Sequence, residues 1–314
     1  MASLFVNEQL PTTSEEAIRQ FNEKYLMQLS AAPPSDWASR FVLPVGSPRT
    51  TFPMSLMSTK FRETKEGSGR YTGMDEKSFD LKVVEFDAGY EAKLLDLTTN
   101  VFAYRNWSNV PSRFVMAEQR HVAFQLAALL ELGSSTLSPF DDVNFFSASH
   151  KANPKSGTAT WSNLQAGAAA PTLANIAVEM TAMRAVKDDN GDKMGVNPTE
   201  IWLPTEKFQT VSDLLNQAFL ASGESNPLAG QIKPVHVPEL TDVNDWYLVD
   251  TNLISQGFDP LLAATYRPSA SLGLRAYDES SDFFKDSGKI KMSARIWTGF
   301  KLVYPHAIRK VVGA

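Results

Sequence analysis

The stretch "PSRFVMAEQRHVAFQLAALLEL", from Pro111 to Leu132, sets the organisation of the whole chain. It runs 22 residues with its one proline at the start and no glycine inside. That predicts a helix about 33 Å long at 1.5 Å per residue. Pro111 suits the first helical turn, where its missing N–H costs nothing, and Gly133 suits the position just past the end. His121 lies within the helix, and no second histidine follows at i+4, so the spacing of a helical zinc site is absent and a packed histidine is expected. A long helix needs other elements to lie on, and the flanking sequence predicts them on both sides.

On the N-terminal side, "TSEE" from Thr13 to Glu16 has the form of a capping box. Ile18, Phe21, Tyr25 and Leu29 then recur every three or four residues, one apolar stripe on a polar helix. The next segment, Ala31 to Leu56, contains five prolines, which favour an extended, irregular path. Yet Phe41, Leu43, Phe52, Met54 and Leu56 make it apolar, so it is expected to lie on something, within the subunit or on a neighbour. Residues 58–97 alternate in strand fashion at Phe79, Leu81 and Val83 and again at Tyr90, Ala92 and Leu94, which predicts a long antiparallel excursion. Its tip region sets Lys60, Arg62, Lys65, Arg70 and Lys77 against Glu63, Glu66, Asp75 and Glu76, with Tyr71 among them. A mixed charge run is ordinarily a solvated face. The functional reading is a loop that pairs with complementary charges on another subunit.

On the C-terminal side the pattern is that of an α/β or α+β body. A helix is expected over residues 173–186, a strand at "EIWLP", a helix at "TEKFQTVSDLLNQAFLA", and strands at "IKPVHVP", "DWYLVD" and "SLGLRAY". The "DDNGD" turn has Asp188, Asn190 and Asp192 at alternate positions, but Lys193 stands where a calcium loop needs glycine and Thr199 where it needs glutamate. Asn190-Gly191 therefore reads as a turn dipeptide. The chain closes on "KIKMSARIWTGFKLVY", a long strand or strand pair interrupted at Thr298-Gly299.

Several function classes are disfavoured at this level. The chain has no cysteine, which removes disulfides, thiolate metal sites and cysteine nucleophiles. A net charge of −5 argues against an electrostatic footprint for nucleic acid beyond non-specific contact. Nothing approaches an 18-residue apolar run, and the first residues lack the pattern of a signal peptide, so neither a membrane span nor secretion is expected. No P-loop, dinucleotide fingerprint or zinc spacing is present, and no cofactor is expected. Ser149 and His150 in "FSASH" invite a serine-hydrolase reading, but the glycine elbow is missing. Replacing either residue is therefore expected to leave assembly close to that of the unaltered protein.

The order of parts resembles a tailed-phage major capsid protein of the HK97 fold, and within it the Mu-type head subunits. The resembling segments are "YEAKLLDLTTNVFAY", "NFFSASHKANPKSGTATWSNL", "EIWLPTEKFQTVSDLLNQ", "NPLAGQIKPVHVPELTDVNDWYLVD" and "GFKLVYPHAIRKV". The resemblance implies an α+β fold with an N-arm (1–50), an E-loop (51–85), a P-domain (86–138 and 284–314, with the spine helix at about 111–132) and an A-domain (139–283). It also implies hexamers and pentamers of an icosahedral shell around double-stranded DNA. Portal, a separate scaffolding protein and decoration proteins would be its partners, with assembly in the host cytoplasm into the virion. No catalytic residue is implied. The alternatives are an encapsulin-like compartment shell of the same fold and, behind it, a hydrolase. The expected subunit-interface residues are Phe41, Leu43, Phe52, Met54, Leu56, Lys60, Arg62, Glu63, Lys65, Glu66, Arg70 and Tyr71, and deletion of residues 1–50 is expected to leave a soluble or partly folded body that cannot form shells.

Overall fold

In the computed structural model, which describes residues 14–31, 37–56, 75–153, 158–219, 223–266, 274–277 and 280–313, the chain begins with helix α1 (Ser14–Ala31). Strands β1 (Val42–Val45), β2 (Arg49–Leu56), β3 (Asp75–Lys82) and β4 (Val84–Lys93) follow. Three helices come next: α2 (Leu94–Thr99), α3 (Val101–Ser108) and the long α4 (Val110–Glu131). Short strands β5 (His150–Lys151), β6 (Thr160–Trp161) and β7 (Leu164–Gln165) lead to α5 (Leu173–Met183). Then come β8 (Glu200–Leu203), α6 (Thr205–Asn216), β9 (Lys233–His236), β10 (Trp246–Val249) and α7 (Thr251–Ser255). The chain ends through β11 (Leu261–Tyr266), β12 (Leu274–Tyr277), α8 (Asp282–Ser287), β13 (Lys289–Leu302) and β14 (Ile308–Val311).

Two five-stranded sheets organise these elements. In the first, β13 is the axis: β4 runs antiparallel along it for ten residues, from Lys289 opposite Lys93 to Thr298 opposite Val84. On its other side β13 pairs with β12 and β11, and β1 adds in parallel to β11. The second sheet has the order β7-β14-β10-β8-β9. Its inner strands β8, β10 and β14 are buried at every position, as expected of strands covered on both faces. A separate antiparallel hairpin, β2 with β3, stands on the first sheet through Met54, Phe79, Leu81 and Val83, which pack with Phe140, Ala264 and Val303.

Helix α4 joins these bodies. Near its start, Val110, Phe114 and Val115 pack with Phe21 and Tyr25 of α1 and with Ile290 and Met292 of β13. Near its end, Ala123, Leu126, Ala127 and Leu130 enter a cluster with Phe41, Phe145, Trp202, Tyr247, Leu261 and Ile308, which draws on both sheets. The expected capping residue Thr13 lies outside the described residues, but Phe21 and Tyr25 of the predicted stripe are buried as its periodicity requires.

Several local expectations change. The proline-rich segment forms strands: Pro44 and Pro53 lie in β1 and β2, each paired on one side only, where a missing N–H leaves no gap in a ladder. β13 runs unbroken through Thr298-Gly299. A Cβ at Gly299 would stand 2.7 Å from the Lys82 carbonyl oxygen, so this glycine serves the close approach of the hairpin's backbone. Gly133 likewise answers to packing, since a Cβ there would meet the Phe146 ring at 2.6 Å. The closing segment is shared between the sheets: β13 lies in the first, and β14 pairs with β10 in the second.

Candidate functional site

The hydrolase question is answered by where the His150 ring points. β5 pairs His150 opposite Trp161 of β6, which turns the side chain inward to zero exposure. Nδ1 lies 2.8 Å from Asp141 Oδ2, and Nε2 lies 3.1 Å from both the Phe145 carbonyl oxygen and Asn163 Oδ1. The Asn163 amide nitrogen donates to the carbonyls of Phe145 and Pro305, so Oδ1 is its accepting end. Both ring nitrogens of His150 thus face acceptors, and the ring serves as a double donor. Ser149 is exposed on the outside of the turn, its N–H donating to Ser147 Oγ. No ring nitrogen is left to take a proton from a serine, as a nucleophilic triad requires.

Burial pushes the Asp141 carboxyl up, but the hydrogen bond and charge of His150, with the N–H groups of Lys151 and Val143, outweigh it and hold the carboxyl below its ordinary value. His306 is the second buried histidine here. Its ring centroid lies 4.7 Å from Trp161, whose other neighbour is His150 at 4.6 Å, and Phe140 meets it edge-on at 4.5 Å. Burial, helped by the charge of His150, pushes its pKa down to about 3. The cluster is a tie between residues 138–163 and the closing segment. Sequence reading singled out His150 but missed Asp141, Asn163, Trp161 and His306; the only signal in the sequence was the scarcity of histidine, two of whose four copies meet at one tryptophan.

Two buried ion pairs, and a third whose arginine is exposed, reinforce the second sheet. Arg309 Nε lies 2.7 Å from Glu179 Oε2, Lys310 Nζ lies 2.6 Å from Asp245 Oδ2, and Arg40 bonds Glu200, which also accepts from Trp202 Nε1. His121, as expected, is packed: its ring lies between Phe86 and Phe300, its Nε2 lies 3.2 Å from Thr298 Oγ1, and burial lowers its pKa. Asn190-Gly191 is a turn, with Gly191 at φ +82° and the Asp188 carboxylate accepting from Asn190 and Asp192. Among the described residues no group of carboxylates and histidines could hold a metal ion.

The residues expected at subunit interfaces divide. Phe41 and Met54 are buried within this chain, Phe41 against Trp202 and Met54 beneath the hairpin. Phe52 is half-buried, stacked on Phe79 at 5.5 Å. Leu43 is 43% exposed. The side chain of Leu56 and all of Lys60, Arg62, Glu63, Lys65, Glu66, Arg70 and Tyr71 lie outside the described residues.

A sequence profile of the phage capsid protein family matches residues 104–311, from α3 through β14. The chain belongs to that family. Among solved structures, this capsid protein is similar to the procapsid of bacteriophage JBD30, with 14% identity and a TM-score of 0.56 over 96% of this chain and 75% of that one. The JBD30 capsid matches at 18% identity and a TM-score of 0.53, over 69% and 95% of the two chains. The capsid of an empty GTA particle matches at 13% and 0.52, over 92% and 97%. At these identities the structures speak for the fold, and the fold is HK97-like. A search of curated proteins returns no match. The family match places the protein among the major capsid proteins of tailed phages. Among the described residues no helix is long and apolar enough to cross a membrane.

Proposed function

We propose that this capsid protein assembles with copies of itself into hexamers and pentamers of an icosahedral shell enclosing double-stranded DNA. The match of the family profile across α3 to β14 is the observation that carries this reading. In this proposal residues 1–50 are the N-arm, residues 51–85 are the E-loop, residues 86–138 and 284–314 form the P-domain with α4 as its spine helix, and residues 139–283 form the A-domain. The division of the fold into two sheets joined by one helix supports that assignment. The quoted sequence segments support placing the chain with Mu-type head subunits. Portal, scaffolding and decoration proteins are its proposed partners, DNA is met through non-specific contact, and assembly takes place in the host cytoplasm. The subunit carries no catalytic role. Leu43, Phe52, Leu56, Lys60, Arg62, Glu63, Lys65, Glu66, Arg70 and Tyr71 form the proposed contacts between subunits.

Electron microscopy of the purified protein tests the reading. Closed shells with five- and six-fold capsomers are expected, and a protein that stays monomeric under every assembly condition would sink it.

A further inference from the structure

One face of the helical rod formed by α3 and α4 has no partner among the described residues. Asn109 between them has φ −94° and ψ −9°, so the right-handed helical path continues with a single break. Phe102, Arg105, Asn109, Arg113, Met116, Arg120 and Phe124 follow at spacings of three, four, four, three, four and four, and every one is exposed. At about 100° per residue these seven positions fall within an arc of about 100°, one continuous stripe. The repeat of eleven residues, which carries Phe102 onto Arg113 and Phe124, keeps the stripe straight along the rod.

The stripe combines two chemistries. Phe102 is 76% exposed, Met116 54% and Phe124 52%. Arg105, Arg113 and Arg120 lie between them, with no carboxylate at any stripe position, in a chain whose net charge is −5. None of the three arginines has an ion pair among the described residues. A shallow, open depression of about 460 Å³ lies on the α4 half of the stripe, lined by Arg113, Met116, Ala117, Arg120, His121 and Phe124. A phosphate backbone would satisfy the arginines but leave the phenylalanines and Met116 facing water. A helix with carboxylates and apolar side chains on one face satisfies both sets, and the three- and four-residue spacing is that of helix-on-helix recognition. We infer that this stripe is the docking surface for an acidic amphipathic helix of another protein. The inference rests on this face alone and stands apart from the shell reading, since copies could close into shells with the stripe unoccupied.

The experiment uses the full-length subunit and two labelled probes. One is a helical peptide of about 22 residues, long enough to span the stripe, with leucine and glutamate on one face at the same spacing. The other is a DNA duplex of similar length. Fluorescence anisotropy is expected to show the peptide binding, with Arg113→Glu plus Arg120→Glu weakening it by about tenfold or more. A peptide with lysine replacing glutamate is expected to bind that double variant and recover the loss. Met116→Ala with Phe124→Ala is expected to weaken binding of the original peptide, and circular dichroism should show all variants folded, since every altered side chain is exposed. No binding by the acidic peptide, or binding indifferent to the arginine reversal, overturns the inference. Arginine-dependent binding of the duplex alone overturns it too, in favour of nucleic-acid contact.

Discussion

His150 shows how far a residue's meaning depends on what faces it. Its sequence neighbour Ser149 suggested chemistry, and setting that chemistry aside suggested that either residue could be replaced with assembly close to normal. The structure separates the two. Ser149→Ala touches an exposed side chain and is expected to leave stability unchanged. His150→Ala removes a fully buried donor from Asp141, Asn163 and the Phe145 carbonyl. Breaking a buried pair in this way costs about 3–5 kcal/mol, and denaturant unfolding of the unassembled subunit should show that loss. His306 adds a pH dependence of definite sign. Its folded pKa of about 3 lies below the ordinary histidine value of 6.5, so below that value the unfolded chain takes up a proton that the folded one refuses. Stability is fully present at neutral pH and declines as pH falls through the window from 6.5 toward 3. Between pH 7 and pH 5 the loss from this site is about 2 kcal/mol. The lowered Asp141 carboxyl acts in the same direction at still lower pH. Urea midpoints measured at the two pH values should show the decline, and His306→Leu should flatten it.

At the scale of elements, periodicity was a sound guide to the helices and an incomplete one to the strands. α4, α5 and α6 lie where the spacing of apolar residues predicts, because a helix makes its hydrogen bonds locally. Strands depend on partners. Proline at 44 and 53 looked like a barrier to sheet formation, but both positions fall on edges that need no donor. Gly299 looked like an interruption and is a crossing point, where the backbone of Lys82 passes over β13. Gly299→Ala should therefore force the hairpin off the sheet, at a cost of about 1–3 kcal/mol for an overpacked contact, read as a lowered thermal midpoint with the helical signal retained. Lys77 holds the same hairpin farther along β3, its ammonium reaching the carbonyls of Pro139 and Phe140 and the Asp142 carboxylate.

For the whole molecule, the N-terminal segment is the main revision. An arm that serves only neighbours could be cut away to leave a sound body. Here Trp37 and Phe41 belong to the cluster that unites α4 with both sheets, and β1 completes the first sheet. Each buried aromatic of this kind is worth about 3–5 kcal/mol, so deletion of residues 1–50 is expected to unfold the subunit, seen as loss of the cooperative thermal transition. Reversal of Arg62, Lys65 and Arg70 to glutamate tests assembly itself. Single exposed pairs contribute about 0–1 kcal/mol, but a closed shell repeats each interface, so the triple reversal should abolish particles in sedimentation while circular dichroism stays native. Abundant intact shells from that variant would return the excursion to the status of a solvated face.

What the amino-acid sequence determined by itself was whatever depends on neighbours in the chain. This includes the long helix at Pro111–Leu132, the stripe on α1, the turn at Asn190-Gly191, the order of helices and strands, and through that order the resemblance to capsid subunits. What only the tertiary structure decided depends on groups far apart in sequence. β14 joins β10, the Arg309 and Lys310 side chains are buried against Glu179 and Asp245, and His306 reaches Trp161. Nothing in the sequence around His306, Arg309 and Lys310 announces this burial. They are buried because the last strand lies inside a sheet, and a strand's partners are set by loop closure and packing rather than by its own residues.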